Sequence, residues 1–315
     1  MITRTLIRQK VVQILYAYLL RENTNVEAAE KELTFSLGKA YDLYLYLLLL
    51  MVEVKHFAED RMALRRLRLQ PTEEDLNPNM KFVNNRVIWQ MENNLTLKQL
   101  WPRYHVLWEN DTDLISKLFR EIEQLPEYEV YMSTREGDYK SDKKLVLAVI
   151  EKVFATNDLL HWFLGEKNTH WIDDYEEAML MFYQNVKEFK EEDGDNCKIS
   201  TLFKSDEDEQ FCRQLFRKTL ENADEYTKMV EAKLQNWELE RVISMDMLLM
   251  QMALCELLEF PSVPIKVTLN EYIELAKWYS SDKSKVFVNG ILDRLIVDLR
   301  DSGRLVKTGR GLYQN

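Results

Sequence analysis

The side chains best suited to bind another molecule lie near the two ends of the sequence. Asn289 and Asp293 are four residues apart, so on a helix they share one face and can present an amide and a carboxylate together. Arg4 and Arg8 have the same spacing, and guanidinium groups are well suited to hold phosphates. From residue types alone, solvated arginines and an Asn289 that satisfies a buried backbone group are the simpler interpretations. The elements that position these pairs therefore decide how much chemistry they can do.

Two predicted helices position the C-terminal pair. The first begins at the Thr-x-x-Glu pattern of Thr268 and Glu271, which predicts a capping box and a helix that continues to Tyr279. The second carries an apolar stripe with Gly290 at its centre, where glycine costs about 1 kcal/mol relative to alanine. Close helix packing is the favoured reason for Gly290, and an approach surface for another chain is the alternative.

The whole chain is predicted to be all-α. Only 8 glycines and 6 prolines occur among 315 residues, whereas sheet proteins and phosphate-binding loops use glycine freely. Apolar residues recur at helical spacing in residues 3–21, 39–67 and 245–260, and a shorter helix restarts at 23–33. The ten apolar residues at 43–52 make half of a bilayer span, which favours a buried helix over a membrane segment.

Polar stretches divide the sequence into four predicted regions. QPTEEDLNPN at 70–79 carries two of the six prolines, and KEEDGDN at 190–196 is a second exposed break. The regions are N-terminal helices at 1–67, a helical insertion of unknown role at 68–205, a C-terminal helical core at 206–300 and a flexible basic tail at 301–315. The tail is predicted to be either a disordered end or an arm that touches RNA.

The composition argues against several classes of function. A net charge of −11 is unlike that of bulk-basic nucleic-acid binders, so any RNA must meet a local basic edge or a basic partner. Three unpaired cysteines indicate a reducing cytoplasm, and the four histidines lack metal-ligand spacing. Because the usual nucleotide, hydrolase and metalloprotease motifs are missing, we expect no enzyme, cofactor or small-molecule substrate. The enzymatic alternative is a pocket lined by Trp89, Trp101 and Trp108.

Four segments resemble the NusB family of transcription antitermination proteins. They are RQKVVQILYAY (8–18), MLLMQMALCELL (247–258), VPIKVTLNEYIELAK (263–277) and SKVFVNGILD (284–293). The long middle region resembles the enlarged, Bacteroidetes-type form of that family. The resemblance implies an all-α fold of two packed helical bundles. It also implies binding to the boxA element of ribosomal RNA leader transcripts together with the ribosomal protein NusE, in a complex that joins RNA polymerase and suppresses premature termination.

The resemblance also gives single residues expected roles. The expected RNA contacts are Arg4, Arg8, Lys266, Asn289 and Asp293. Glu256 lies in the region where the family meets NusE. Gln251 stands where the family often has an arginine, which lowers the expected RNA affinity of the chain alone. We therefore expect RNA binding to depend strongly on the basic partner, and a protein-only scaffold that has lost RNA contact is the alternative function.

Overall fold

A computed structural model describes residues 1–21, 25–108, 111–234, 244–281 and 283–312. Every regular element in these ranges is helical, which confirms the predicted all-α class. The helices are α1 (Arg4–Leu19), α2 (Val26–Arg66), α3 (Glu73–Leu76), α4 (Arg86–Asn93), α5 (Leu95–Arg103), α6 (Thr112–Glu123), α7 (Pro126–Met132), α8 (Tyr139–Val149), α9 (Asp158–Lys167), α10 (Trp171–Glu188), α11 (Asp206–Glu221), α12 (Ala223–Glu231), α13 (Ser244–Glu259), α14 (Ile265–Tyr279) and α15 (Ser284–Asp301). A π-helical turn follows α8 at Ile150–Phe154, and 3-10 turns form at Glu191–Asn196 and Gly309–Leu312.

Two compact units divide the chain. The middle unit comprises Met1–Ile2 and Ser36–Lys204, and the terminal unit comprises Thr3–Phe35 and Ser205–Asn315. The terminal unit therefore combines α1 and the first part of α2 with α11 to α15. The predicted boundary between regions 1–67 and 68–205 does not separate the two units, because most of α2 belongs with the middle unit.

Helix α2 replaces two predicted helices with one continuous helix of 41 residues. Gly38 lies where the two were expected to meet, and a glycine in a helix interior lowers stability without ending the helix. An apolar window of α2 is long enough to cross a membrane, but 72% of that window is buried inside the protein. Burial of this apolar surface against other helices stabilises the continuous helix.

Helix α13 forms the centre of the terminal unit, as its all-round apolar sequence predicts. It packs against α1, α11, α12, α14 and α15. Met250 and Met252 are fully buried, so the methionine-rich stripe fills the core. The side chains that α13 presents to α1 and α14 build the candidate functional site.

Candidate functional site

A buried ion pair joins α1 to α13. Arg8 donates from Nε and from NH2 to the two carboxylate oxygens of Glu256, at 2.7 and 2.8 Å. Arg8 is 1% exposed and Glu256 is 0% exposed. Burial alone would lower the pKa of Arg8, but the charge and hydrogen bonds of Glu256 outweigh burial and raise it above its ordinary value. The guanidinium is thus held in its charged form and fastens α1 to the core helix.

Helix α14 satisfies the remaining acceptor capacity of Glu256. Thr268 donates from Oγ1 to Oε1 of Glu256 at 2.8 Å, and Tyr272 donates from its hydroxyl to Oε2 at 3.3 Å. Thr268 and Tyr272 are both buried. A buried carboxylate is stable only when a cation and hydrogen-bond donors compensate for its lost hydration, and here two helices supply them.

The predicted capping box at the start of α14 is wrong. The helix begins at Ile265, directly after Pro264, so Thr268 and Glu271 lie inside it. Thr268 donates to Glu256, and the carboxylate of Glu271 accepts from Oγ1 of Thr5 at 3.1 Å. The two residues of the pattern therefore bind α14 to α13 and to α1 rather than capping their own helix.

These contacts also correct two expected roles. Arg8 was expected to hold RNA phosphates, and Glu256 was expected to meet a protein partner, yet both side chains lie inside the terminal unit. Neither offers a surface to another molecule in this structure. The signal was present in the sequence, since an acid within a helix that is apolar all round requires a buried cation nearby.

Arg4 lies at the exposed edge of the same cluster. Its Nε donates to Oδ1 of Asp208 at 2.7 Å, and its side chain remains 35% exposed. The guanidinium carbons of Arg4 and Arg8 lie 4.9 and 5.2 Å from the centroid of the Phe211 ring. Arg4 is therefore accessible to a phosphate, which would have to compete with Asp208 for it.

Asn289 and Asp293 meet on α15, as their spacing predicts. Asn289 donates from Nδ2 to Oδ2 of Asp293 at 3.1 Å, and Asp293 is exposed. Gly290 is also exposed, and a Cβ added there would meet nothing within 4 Å. Close packing therefore does not explain Gly290, and the alternative of an approach surface for another chain stays open.

A serine cluster fixes the turn that leads into α15. Asp246 on α13 accepts from Oγ of Ser280 at 2.5 Å and from Oγ of Ser284 at 2.9 Å. Ser284 also accepts from the backbone N–H of Ser281 at 3.3 Å. These bonds tie the start of α15, and with it Asn289, to the core helix.

The end of the chain carries a local excess of positive charge. Residues 262–312 contain nine Lys or Arg and six Asp or Glu, a net charge of +3 within a chain of −11. Lys266 is exposed in the first turn of α14, and none of the ion pairs between described residues includes it. This stretch is thus locally basic within an acidic chain, and Lys266 is an exposed cation in it.

The C-terminal segment is docked through Leu312 rather than free, which corrects the predicted flexible tail. The backbone N–H of Thr308 donates to the carbonyl of Pro261 at 3.0 Å. Gly311 is buried so close to this carbonyl that an added Cβ would lie 2.0 Å from its oxygen. Arg304 pairs with Glu225 at 2.5 Å. The last three residues of the predicted tail lie outside the described residues.

In the middle unit, two tryptophans of the alternative pocket donate to neighbouring carbonyls of α2, and the third is exposed on another helix. Trp101 donates from Nε1 to the carbonyl of Leu45 at 3.2 Å, and Trp108 donates to that of Tyr46 at 2.9 Å. Both rings are therefore held against α2, whereas Trp89 is exposed on α4. Among the described residues, no group of three His, Cys, Asp or Glu side chains is arranged to hold a metal ion.

Comparisons with known proteins converge on one family. The NusB family model matches residues 174–297. The transcription antitermination protein NusB of Salinibacter ruber is 48% identical over 102 residues, which are 32% of this chain and 64% of the relative. NusB of Chloroherpeton thalassium is 41% identical over 102 residues, 32% of this chain and 48% of the relative. NusB of Finegoldia magna is 33% identical over 113 residues, 36% of this chain and 76% of the relative. No solved structure matches the chain.

The matched range contains most of the candidate site. It includes α11 to α14 and most of α15, and so Glu256, Lys266, Asn289 and Asp293. Helix α1 with its two arginines and most of the middle unit fall outside the range. The chain spans 64% and 48% of the first two relatives, so the comparisons cover only part of each of those proteins.

Proposed function

This chain belongs to the NusB family, and from that premise we propose that it acts as an RNA-binding transcription antitermination factor. The family match over residues 174–297 carries the proposal. In its specific form, the protein binds boxA of ribosomal RNA leader transcripts together with NusE in the cytoplasm. The complex joins RNA polymerase and prevents premature termination.

The RNA site in this proposal lies on the exposed side of the terminal unit. Lys266 provides an exposed cation, and the amide and carboxylate of Asn289 and Asp293 supply hydrogen bonds that can read bases. Exposed Gly290 lets a ribose or phosphate approach the backbone of α15 closely. Arg4 adds a second cation at the edge of the unit, and Arg8 acts as a positioning residue that holds α1 in place.

The partner NusE supplies much of the positive charge in this proposal. The chain carries −11 overall, and Gln251 uses its neutral amide to donate to Oγ1 of Thr227 at 2.7 Å. The basic excess of residues 262–312 is small beside the charge of an RNA backbone. RNA affinity should therefore be weak for the chain alone and strong for the pair.

A protein-only scaffold is the second candidate function. The burial of Arg8 favours it, because one of the two N-terminal cations expected to contact RNA is committed to Glu256. A scaffold would retain its protein partners and show no affinity for boxA, with or without NusE.

A gel-shift titration with a boxA-containing leader RNA separates the two candidates. The full chain is titrated with and without NusE at several salt concentrations, against a scrambled RNA of equal length. Binding should require NusE, favour boxA and weaken as salt rises, because phosphate neutralisation releases counterions. Equal binding of boxA and scrambled RNA at physiological salt would refute specific recognition, and no binding to either would favour the scaffold.

Three variants locate the site within this assay. Lys266→Ala should lower affinity for all RNAs and reduce the salt slope by about one, as expected for one phosphate contact. Lys277→Ala is the matched control, because Lys277 is an exposed lysine at the other end of α14 that already pairs with Glu274. Gly290→Ala should weaken RNA binding while it stabilises the helix by about 1 kcal/mol, so loss of binding cannot come from unfolding.

A further inference from the structure

An apolar patch on α9 and α10 of the middle unit faces solvent. Leu159, Trp162 and Ile172 are 38, 63 and 51% exposed, and we call these three residues the Trp162 patch. The two helices meet beneath it, where a Cβ added to Gly165 would lie 3.0 Å from Cγ1 of Ile172. Nε2 of His161 lies 2.9 Å from the carbonyl oxygen of Ile172. The patch therefore spans two helices that are in contact.

Contacts with neighbouring residues support this surface. The ring of His161, next to Trp162, stacks on Tyr175 of α10 with the ring centroids 4.4 Å apart. The hydroxyl of Tyr175 donates to the carbonyl of Phe154 at 2.5 Å. The side chain of Asn157 caps α9 by accepting from the backbone N–H of Leu160 at 2.7 Å. A partner would therefore lose little free energy in ordering this surface on binding.

Carboxylates surround the patch. Asp158 and Glu166 lie four residues before and after Trp162 on α9, and Glu176 lies four residues after Ile172 on α10. All three acids are exposed, and none of the ion pairs between described residues includes them. Lys167 does not neutralise this rim, because it pairs with Asp111 at 2.9 Å. The patch is thus apolar at its centre and negative at its edge.

We propose that the Trp162 patch binds a cationic segment of a partner protein, which places an apolar side chain on Trp162 and lysines or arginines against the carboxylates. Tryptophan is among the residues that contribute most to binding energy at interfaces, and its ring also attracts cations. The same carboxylates repel the phosphates of RNA and of an anionic membrane surface. A second copy of this chain is disfavoured as the occupant because the chain carries −11.

Fluorescence anisotropy with two labelled peptides tests the proposal on the full chain. One peptide has leucines at helical spacing between lysines, and the other has the same leucines between glutamates. The lysine peptide should bind measurably, with an affinity that falls as salt rises, whereas the glutamate peptide should not bind. Trp162→Ala should lower the affinity for the lysine peptide about 30-fold, as expected for a tryptophan at the centre of an interface. Glu166→Lys should also lower the affinity for the lysine peptide, and the loss should be larger at low salt than at high salt.

Trp89→Ala is the matched control, because Trp89 is another half-exposed tryptophan of the middle unit. It should leave peptide affinity unchanged, and the circular dichroism of all variants should match that of the unaltered protein. Equal binding of the two peptides, or an unchanged affinity in Trp162→Ala, would overturn the proposal. A Trp162-dependent dimer in sedimentation velocity would also overturn it, since that result identifies a second copy of the chain as the occupant.

Discussion

Replacing Arg8 with alanine tests whether this residue holds the fold or holds RNA. The substitution removes the bidentate partner of Glu256, which is 0% exposed. Thr268 and Tyr272 would still donate hydrogen bonds to the carboxylate, but they bring no positive charge. The variant would therefore contain a buried, uncompensated negative charge at the junction of α1, α13 and α14.

The expected loss is large. Removal of one partner from a buried ion pair costs about 3 to 5 kcal/mol, mostly because the remaining charge stays desolvated. The loss of the guanidinium from its position over Phe211 adds a smaller amount. Urea unfolding followed by circular dichroism should show a lower midpoint with an unchanged slope. This loss of free energy is a large share of the stability of an ordinary domain, so a fraction of the molecules is expected to be unfolded at physiological temperature.

A double variant separates charge burial from lost packing. Arg8→Met with Glu256→Leu removes both charges and keeps the approximate volumes, so it should be more stable than Arg8→Ala alone. A change of less than about 1 kcal/mol in the free energy of unfolding of Arg8→Ala would contradict a structural role for the ion pair. A smaller salt slope for RNA binding by the folded Arg8→Ala protein would also contradict it, because that result would identify Arg8 as a phosphate contact.

Three further changes probe the docked C-terminal segment and two titrating side chains. Gly311→Ala drives a Cβ into the carbonyl of Pro261, so urea unfolding should show a loss of about 1 to 3 kcal/mol. Burial lowers the pKa of Lys307 from 10.5 to about 8, so the unfolded chain binds more protons between these values and stability should rise from pH 8 to 10.5; Lys307→Met should lack that rise. The carboxylate of Glu53, 3.6 Å from Nδ1, and then that of Glu92, 2.8 Å from Nε2, raise the pKa of His56 from 6.5 to about 9, against the opposing effect of burial. Stability that is complete below pH 6.5 should therefore fall as pH rises through 9, and His56→Gln should remove that fall.

The sequence predicts the helical class and the central helix well because those depend on local composition. Sixteen mostly apolar residues at Ser244–Glu259 can be stable only as a buried helix, and α13 is buried on all sides. The sequence predicts separate helices at 23–33 and 39–67, whereas the structure has one continuous α2, because the burial that joins them is not visible in the sequence. Packing against other helices, which the sequence does not display, decides that case.

The candidate site shows the same division between local and long-range information. The spacing of Asn289 and Asp293 fixes their shared face, and their hydrogen bond follows from it. The Thr-x-x-Glu pattern of Thr268 gave a wrong helix start, because its hydroxyl has a partner in Glu256 twelve residues earlier that no local rule reveals. Arg8 and Glu256 are 248 residues apart, so their pairing appears only when the fold is known.

The two proposed surfaces differ in charge, and this difference makes them separable by experiment. The end of the chain with Lys266 has a net charge of +3 over residues 262–312, whereas the rim of the Trp162 patch is made of exposed carboxylates. Higher salt weakens both contacts, so salt alone cannot distinguish them. Substitutions can: Lys266→Ala should change RNA binding and leave the lysine peptide unaffected, and Trp162→Ala should do the reverse. If each variant changes both affinities, binding at the two surfaces is coupled. The partner on the middle unit must then change the affinity for RNA by the same factor by which RNA changes the affinity for that partner.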